Sequence, residues 1–131
     1  QPADVAGIVE VDHFRGDAYA GPYNTLPEAW QNVIDCGLPI RLLVGPFAEL
    51  LPALDLTRFG LVFYDGDHDF EPTQTFLRIA LAECRADATI VVDDYSAVYP
   101  QVQRAVAEAL PEGWPVTVNG ALAIFQPPRA Q

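Results

Sequence analysis

The 131-residue sequence contains no lysine and no methionine. Its seven basic residues are all arginine and face 18 carboxylates, for a formal net charge of −11. Without a basic stripe the chain lacks the electrostatic footprint of a nucleic-acid binder or of a protein that docks on anionic membranes, so neither is expected as a partner. No apolar run approaches the roughly 20 residues of a membrane-spanning helix. No signal-peptide pattern is present. The chain starts at Gln1 without a Met, which points to processing or to a beginning that lies upstream. Cysteine is scarce: Cys36 and Cys84 stand outside any CxxC or Cys/His cluster. That excludes a zinc knuckle or dithiol motif and predicts buried, reduced thiols in a cytoplasmic protein.

Half the residues are hydrophobic and the mean hydropathy is +0.12, which excludes a disordered chain. The length suits one domain, residues 1–131, with a real core. Apolar runs alternate with helical spacing. Strands are predicted at 5–11, 40–45, 59–64, 88–92, 114–118 and 121–125, with helices at 26–37, 46–54, 71–84 and 100–110. Residues 13–24 read as a loop, Gly37 as a helix stop, and Asn119-Gly120 as a hairpin turn. The order β-α-β-α-β-α-β-α-β-β predicts an α/β fold. Its sheet is mostly parallel, is covered on both faces, and ends in an antiparallel pair at one edge.

Two strands end in acid. LVFYDGDHDFE at 61–71 places four carboxylates and a histidine in seven positions, and TIVVDDYSAVYP at 89–100 repeats the design with adjacent aspartates. Ligands of open α/β sheets bind outside the carboxyl ends of the strands. If the two strands are neighbours, Asp65, Asp93 and Asp94 converge on one rim at the ~4.8 Å spacing of paired strands. No arginine lies in 59–77 or 86–103 to offset their repulsion. Raised pKa values or a bound divalent cation remain, and Mg²⁺ suits a few carboxylate oxygens. Asp69 and Glu71 read instead as residues favouring the positive end of the following helix. His68, three residues after Asp65, is placed to act as a general base on a hydroxyl. His13, in the loop after the first strand, reads as structural or peripheral.

Asp-x-Asp-x-Asp at 65–69 also opens a calcium loop, but Phe70 and Phe76 occupy positions where an EF-hand needs Gly and Glu. Asp-Gly-Asp after a strand also fits the metal motif of nucleotide-sugar glycosyltransferases, a reading that leaves Asp93 and Asp94 unexplained.

Taken together, VEVDHFRGD, LLVGPFAELLPAL, LVFYDGDHDFEPTQTFL and TIVVDDYSAVYPQVQRAV resemble the class I S-adenosylmethionine-dependent methyltransferases. Within them the metal-dependent O-methyltransferases of macrolide sugars and cephalosporin biosynthesis are the nearest in pattern. The resemblance implies a Rossmann-like sheet. It gives Asp65, Asp93 and Asp94 to Mg²⁺, His68 to proton abstraction, and Asp12 to the ribose hydroxyls of S-adenosylmethionine. Gly45 and Phe47 would border the adenine, where this chain has Pro46 in place of the family's frequent acid. Phe14, Tyr19, Tyr23 and Tyr95 would help form a pocket for a small hydroxyl acceptor, or else pack in the core. The family's first strand and Gly-rich loop have no counterpart here. The expectation is therefore either an N-terminally shortened chain or another segment in the gap between the strands at 5–11 and 59–64, with an open edge that favours self-association. A non-catalytic remnant serving as a binding module is the rival expectation.

Overall fold

The structure, a computed structural model, describes residues 8–13, 16–17, 21–22 and 25–128. It divides into two compact units, Gln1–Leu54 and Asp55–Gln131.

In the first unit, β1 (Ile8–Asp12) pairs in parallel with β4 (Ile40–Val44), Asp12 opposite Val44. The predicted strand residues 5–7 lie outside the described residues. Within the predicted loop, Gly16–Asp17 (β2) and Gly21–Pro22 (β3) form a two-residue antiparallel ladder, too short to leave a periodic signature. Helix α1 (Leu26–Cys36) carries Pro27 in its first turn and ends on Gly37, whose φ of 67° is the left-handed stop the sequence signals. None of its residues is buried, and Trp30 and Ile34 are exposed. Cys36 is therefore exposed rather than buried, because it ends a helix with no buried face; Cys84 is buried, and the two form no disulfide. The predicted helix at 46–54 breaks up. α2 spans only Phe47–Leu50 and a 3₁₀ turn follows at Leu51–Ala53. Pro52 has no N–H for the next α-helical bond, and its ring clashes with the carbonyl four residues back.

The second unit opens with a 3₁₀ turn, Leu56–Arg58, which Asp55 caps by accepting from the Thr57 N–H at 3.2 Å. Its sheet has the order β5 (Leu61–Tyr64), β6 (Thr89–Val92), β8 (Leu122–Phe125), β7 (Thr117–Asn119). β5 and β6 are parallel, and β8 runs antiparallel to β6 and β7. The hairpin loop is Gly120-Ala121, one residue later than the sequence suggests. Asn119 pairs with Leu122, and Gly120 takes the positive φ of 60° at the first central position.

Burial alternates along β5, β6 and β8, so Tyr64, Ile90, Val92, Ala123 and Phe125 are buried while Leu61 and Phe63 are exposed. The even burial of a sheet covered on both faces is thus replaced in this unit by a two-residue period. Helix α3 (Phe70–Glu83) buries Thr73, Phe76, Leu77 and Ala80, and α4 (Pro100–Ala109) buries Val102, Ala105 and Val106. Both sets follow the i, i+3, i+4 rhythm of a core-facing stripe. The two helices pack on each other, and Tyr64 stacks on Phe76 at 4.6 Å, which seats α3 on the buried face of the sheet.

Candidate functional site

The carboxyl ends of β5 and β6 are tied together. The Asp93 N–H donates to the Tyr64 carbonyl at 2.9 Å, one step beyond the last ladder pair. Asp65 and Asp93 each follow their strand directly, so this bond brings the two acids level. Ligand oxygens of Asp65, Asp93 and Asp94 all lie within 4.8 Å of one another.

Asp94 reaches the cluster from a left-handed backbone, φ 59°, the one non-glycine positive φ among the described residues. Aspartate tolerates that region better than most side chains. Its carbonyl accepts from the Ser96 N–H at 3.0 Å, and the next residue, Tyr95, donates its N–H to Ala121 at 2.8 Å. The turn after β6 is thereby fastened to the β7–β8 loop. Partial burial, then the neighbouring Asp93 charge, push the Asp94 carboxyl above the usual carboxylate range, and His68 opposes them. His68 Nδ1 stands 3.7 Å from Asp94 Oδ2. The His68 side chain is 13% exposed and its ring lies 4.0 Å from that of Tyr99.

The loop that carries Asp65 and His68 is held from the core. Tyr64 donates its hydroxyl to the Asp67 carbonyl at 2.9 Å. The buried Thr73 hydroxyl reaches the carbonyls of Asp69 at 2.8 Å and Asp67 at 3.3 Å. Burial above all, with the nearby acids, raises the Tyr64 hydroxyl well above its ordinary value, so it remains a donor throughout the neutral range. Asp69 occupies the N-cap of α3 without a side-chain capping bond, and Glu71 lies in the first turn as expected. Tyr64 and Thr73 support the site and were not expected to. Their only trace in the sequence is a hydroxyl at the end of an apolar strand and another on the apolar stripe of a helix.

The proposed cofactor residues share one strand end of the first unit. Asp12 closes β1 half-exposed, and its carbonyl accepts from the Gly45 N–H at 2.9 Å. Gly45 has φ 151°, and a Cβ there would sit 3.1 Å from Leu50. Phe47 begins α2 two residues later. His13 Nδ1 lies 3.8 Å from Asp12 Oδ1. Tyr95 is half-buried in the turn after β6, whereas Phe14, Tyr19 and Tyr23 lie outside the described residues.

The raised Asp94 carboxyl has a consequence for stability. An acid whose folded pKa exceeds its unfolded one disfavours the fold as pH rises through the interval between the two values. Asp94→Asn, which keeps shape and tolerates φ 59°, is therefore expected to raise the melting temperature of the metal-free protein at pH 7. The gain disappears below the carboxylate range, where Asp94 is protonated in both states. Thermal melts at the two pH values check both signs.

Residues 3–95 match the family described as Methyltransferase domain. No curated protein matches the chain. Among solved structures, the O-methyltransferase NovP superposes with a TM-score of 0.73 at 20% identity, covering 94% of this chain and 60% of that one. For the calicheamicin methyltransferase CalS11 the TM-score is 0.71 at 19% identity, with 92% and 60% covered. For the SAH-bound Podospora anserina methyltransferase PaMTH1 it is 0.65 at 14%, with 93% and 61% covered. The chain spans about three fifths of the length of these structures. The likenesses show a Rossmann-like α/β fold, and the family match extends over well over half of the sequence. The chain therefore belongs to the methyltransferase-domain family.

Proposed function

We propose that this chain forms the acid- and base-bearing part of an S-adenosylmethionine- and Mg²⁺-dependent O-methyltransferase acting on a small-molecule hydroxyl. The observation that carries the reading is the cluster of Asp65, Asp93 and Asp94, with oxygens within 4.8 Å of one another and His68 beside it. Three hard carboxylate oxygens match Mg²⁺ in chemistry, and of the two causes that raise the Asp94 carboxyl, partial burial and then the Asp93 charge, a cation would relieve the second. When bound, the metal polarises an acceptor hydroxyl and the cofactor offers a methyl group on its sulfonium.

The chain's own residues do the rest. Asp12 accepts hydrogen bonds from the ribose hydroxyls, and Gly45 and Phe47 border the adenine. Asp65, Asp93 and Asp94 fix where the acceptor oxygen sits. With Nδ1 turned toward Asp94, His68 takes the hydroxyl proton at Nε2, and the Asp94 carboxylate faces the positive charge that develops on the ring. The acceptor would be a sugar or catechol-like ring, whose adjacent oxygens would suit a divalent cation held by Asp65, Asp93 and Asp94. CalS11, with the same fold, is a TDP-rhamnose 3'-O-methyltransferase, and that likeness supports a sugar. Two cysteines outside any disulfide fit a reducing, cytoplasmic setting. No described helix is long and apolar enough to cross a membrane.

Calorimetric titration with Mg²⁺ tests the reading. Wild type is expected to give a saturable heat and Asp93→Ala to lose it, with affinity lowered at least about tenfold, or 1.4 kcal/mol. Equal heats for the two proteins would remove the metal site and leave a non-catalytic binding module.

A further inference from the structure

We infer that Tyr99 is a positioning residue for His68: its ring fixes the plane in which the imidazole is presented to the carboxylate cluster. The inference rests on the reading of His68 as the base and adds a residue to that site. The rings lie 4.0 Å apart at 35°, a close tilted contact. Each is anchored from the core by its own route. On one side, the Asp67 carbonyl adjoining His68 is held by the hydroxyls of Tyr64 and Thr73.

On the other side, the Tyr99 N–H donates to the Ser96 carbonyl at 3.0 Å, and its carbonyl accepts from the Val102 N–H at 3.0 Å. Val102 is buried in α4. Pro100 follows as the first helical residue and keeps Tyr99 out of the α region, at φ −122° and ψ 71°. Tyr99 is thus a rigid N-cap that offers no side-chain capping bond to its helix, and its ring is spent on His68 instead.

The same turn, 94–99, supplies two neighbours of the imidazole. Asp94 meets the Nδ1 atom and Tyr99 covers the ring. The Tyr99 contact limits the swing of the imidazole beside Asp94. A misplacement of about 1 Å at a reacting group costs up to roughly 100-fold in rate.

Proton NMR of the chain tests this, because it has only two histidines and His68→Gln assigns the signals. The His68 ring protons are expected to be displaced upfield by the Tyr99 ring in wild type. Tyr99→Phe keeps the displacement and Tyr99→Ala loses it. With Mn²⁺ as probe, the His68 signal broadens in wild type and in Tyr99→Phe. In Tyr99→Ala it broadens less, although calorimetry gives the same Mn²⁺ affinity. In the methyl-transfer reaction Tyr99→Ala lowers kcat roughly 10- to 100-fold with KM unchanged. Unaltered His68 shifts and broadening in Tyr99→Ala would overturn the inference. Failure of wild type to bind Mn²⁺ would overturn the metal reading instead, and the shift comparison still decides the role of Tyr99.

Discussion

His68→Gln is expected to slow methyl transfer by about 10²- to 10⁴-fold while leaving the Mg²⁺ titration as in wild type. The reasoning starts from the acceptor. A sugar or catechol-like hydroxyl is a poor nucleophile until its proton leaves, and the cluster carboxylates are assigned to the cation rather than to the proton. Among the described groups around Asp65, Asp93 and Asp94, His68 combines an imidazole, the side chain best suited to proton transfer, with contact to the cluster, its Nδ1 3.7 Å from Asp94. Glutamine retains a polar side chain of similar reach and cannot accept the proton. Because His68 is outside the carboxylate set, cation affinity stays and kcat falls. Rates followed by transfer of a labelled methyl group to product, paired with calorimetry, separate the two roles. A rate close to wild type in His68→Gln would remove it as the base.

The second large effect is expected at Gly66. A Cβ there would stand 2.7 Å from Cε1 and 2.8 Å from Cζ and Oη of Tyr64. The ring has nowhere to retreat. It is 7% exposed, stacks on Phe76, and holds the Asp67 carbonyl through its hydroxyl. Gly66→Ala must therefore displace the loop that bears Asp65 and His68. Overpacking of this kind costs about 1–3 kcal/mol, read as a shift in urea midpoint. The same displacement should weaken Mg²⁺ binding at least about tenfold, since Asp65 moves relative to Asp93. Shortening the neighbour as well, in Tyr64→Leu, should shrink the cost of Gly66→Ala, and a double-mutant cycle measures that coupling. A Gly66→Ala protein as stable as wild type would show that the close approach does not constrain the loop.

The acid cluster was legible in the sequence for a simple reason. An apolar run in an α/β protein is read as a strand, and acids placed just past two such runs meet if the strands are neighbours. β5 and β6 are neighbours, in parallel register, Tyr64 opposite Val92. Gly37 as a helix stop and the terminal antiparallel pair were legible from local chemistry alone. What escaped depends on contacts remote in sequence or on single residues within an otherwise good pattern. Pro52 cut a predicted nine-residue helix to four α-helical residues and a 3₁₀ turn. The Asn-Gly signal placed the hairpin correctly but missed its register by one, because Gly120 alone takes the positive φ. The tilted ring contact of Tyr99 with His68 joins residues 31 positions apart, and no spacing rule announces it.

The partition of the chain at Leu54 has a thermodynamic consequence. Asp12, Gly45 and Phe47 fall in one unit, while Asp65, His68, Asp93, Asp94 and Tyr99 fall in the other. On the proposed assignment, a titration with cation would report on one unit and a titration with nucleoside on its companion. Any factor by which one ligand changes the affinity of the other must appear identically in the reverse experiment. That shared factor measures, in free energy, how firmly the two halves are linked in solution.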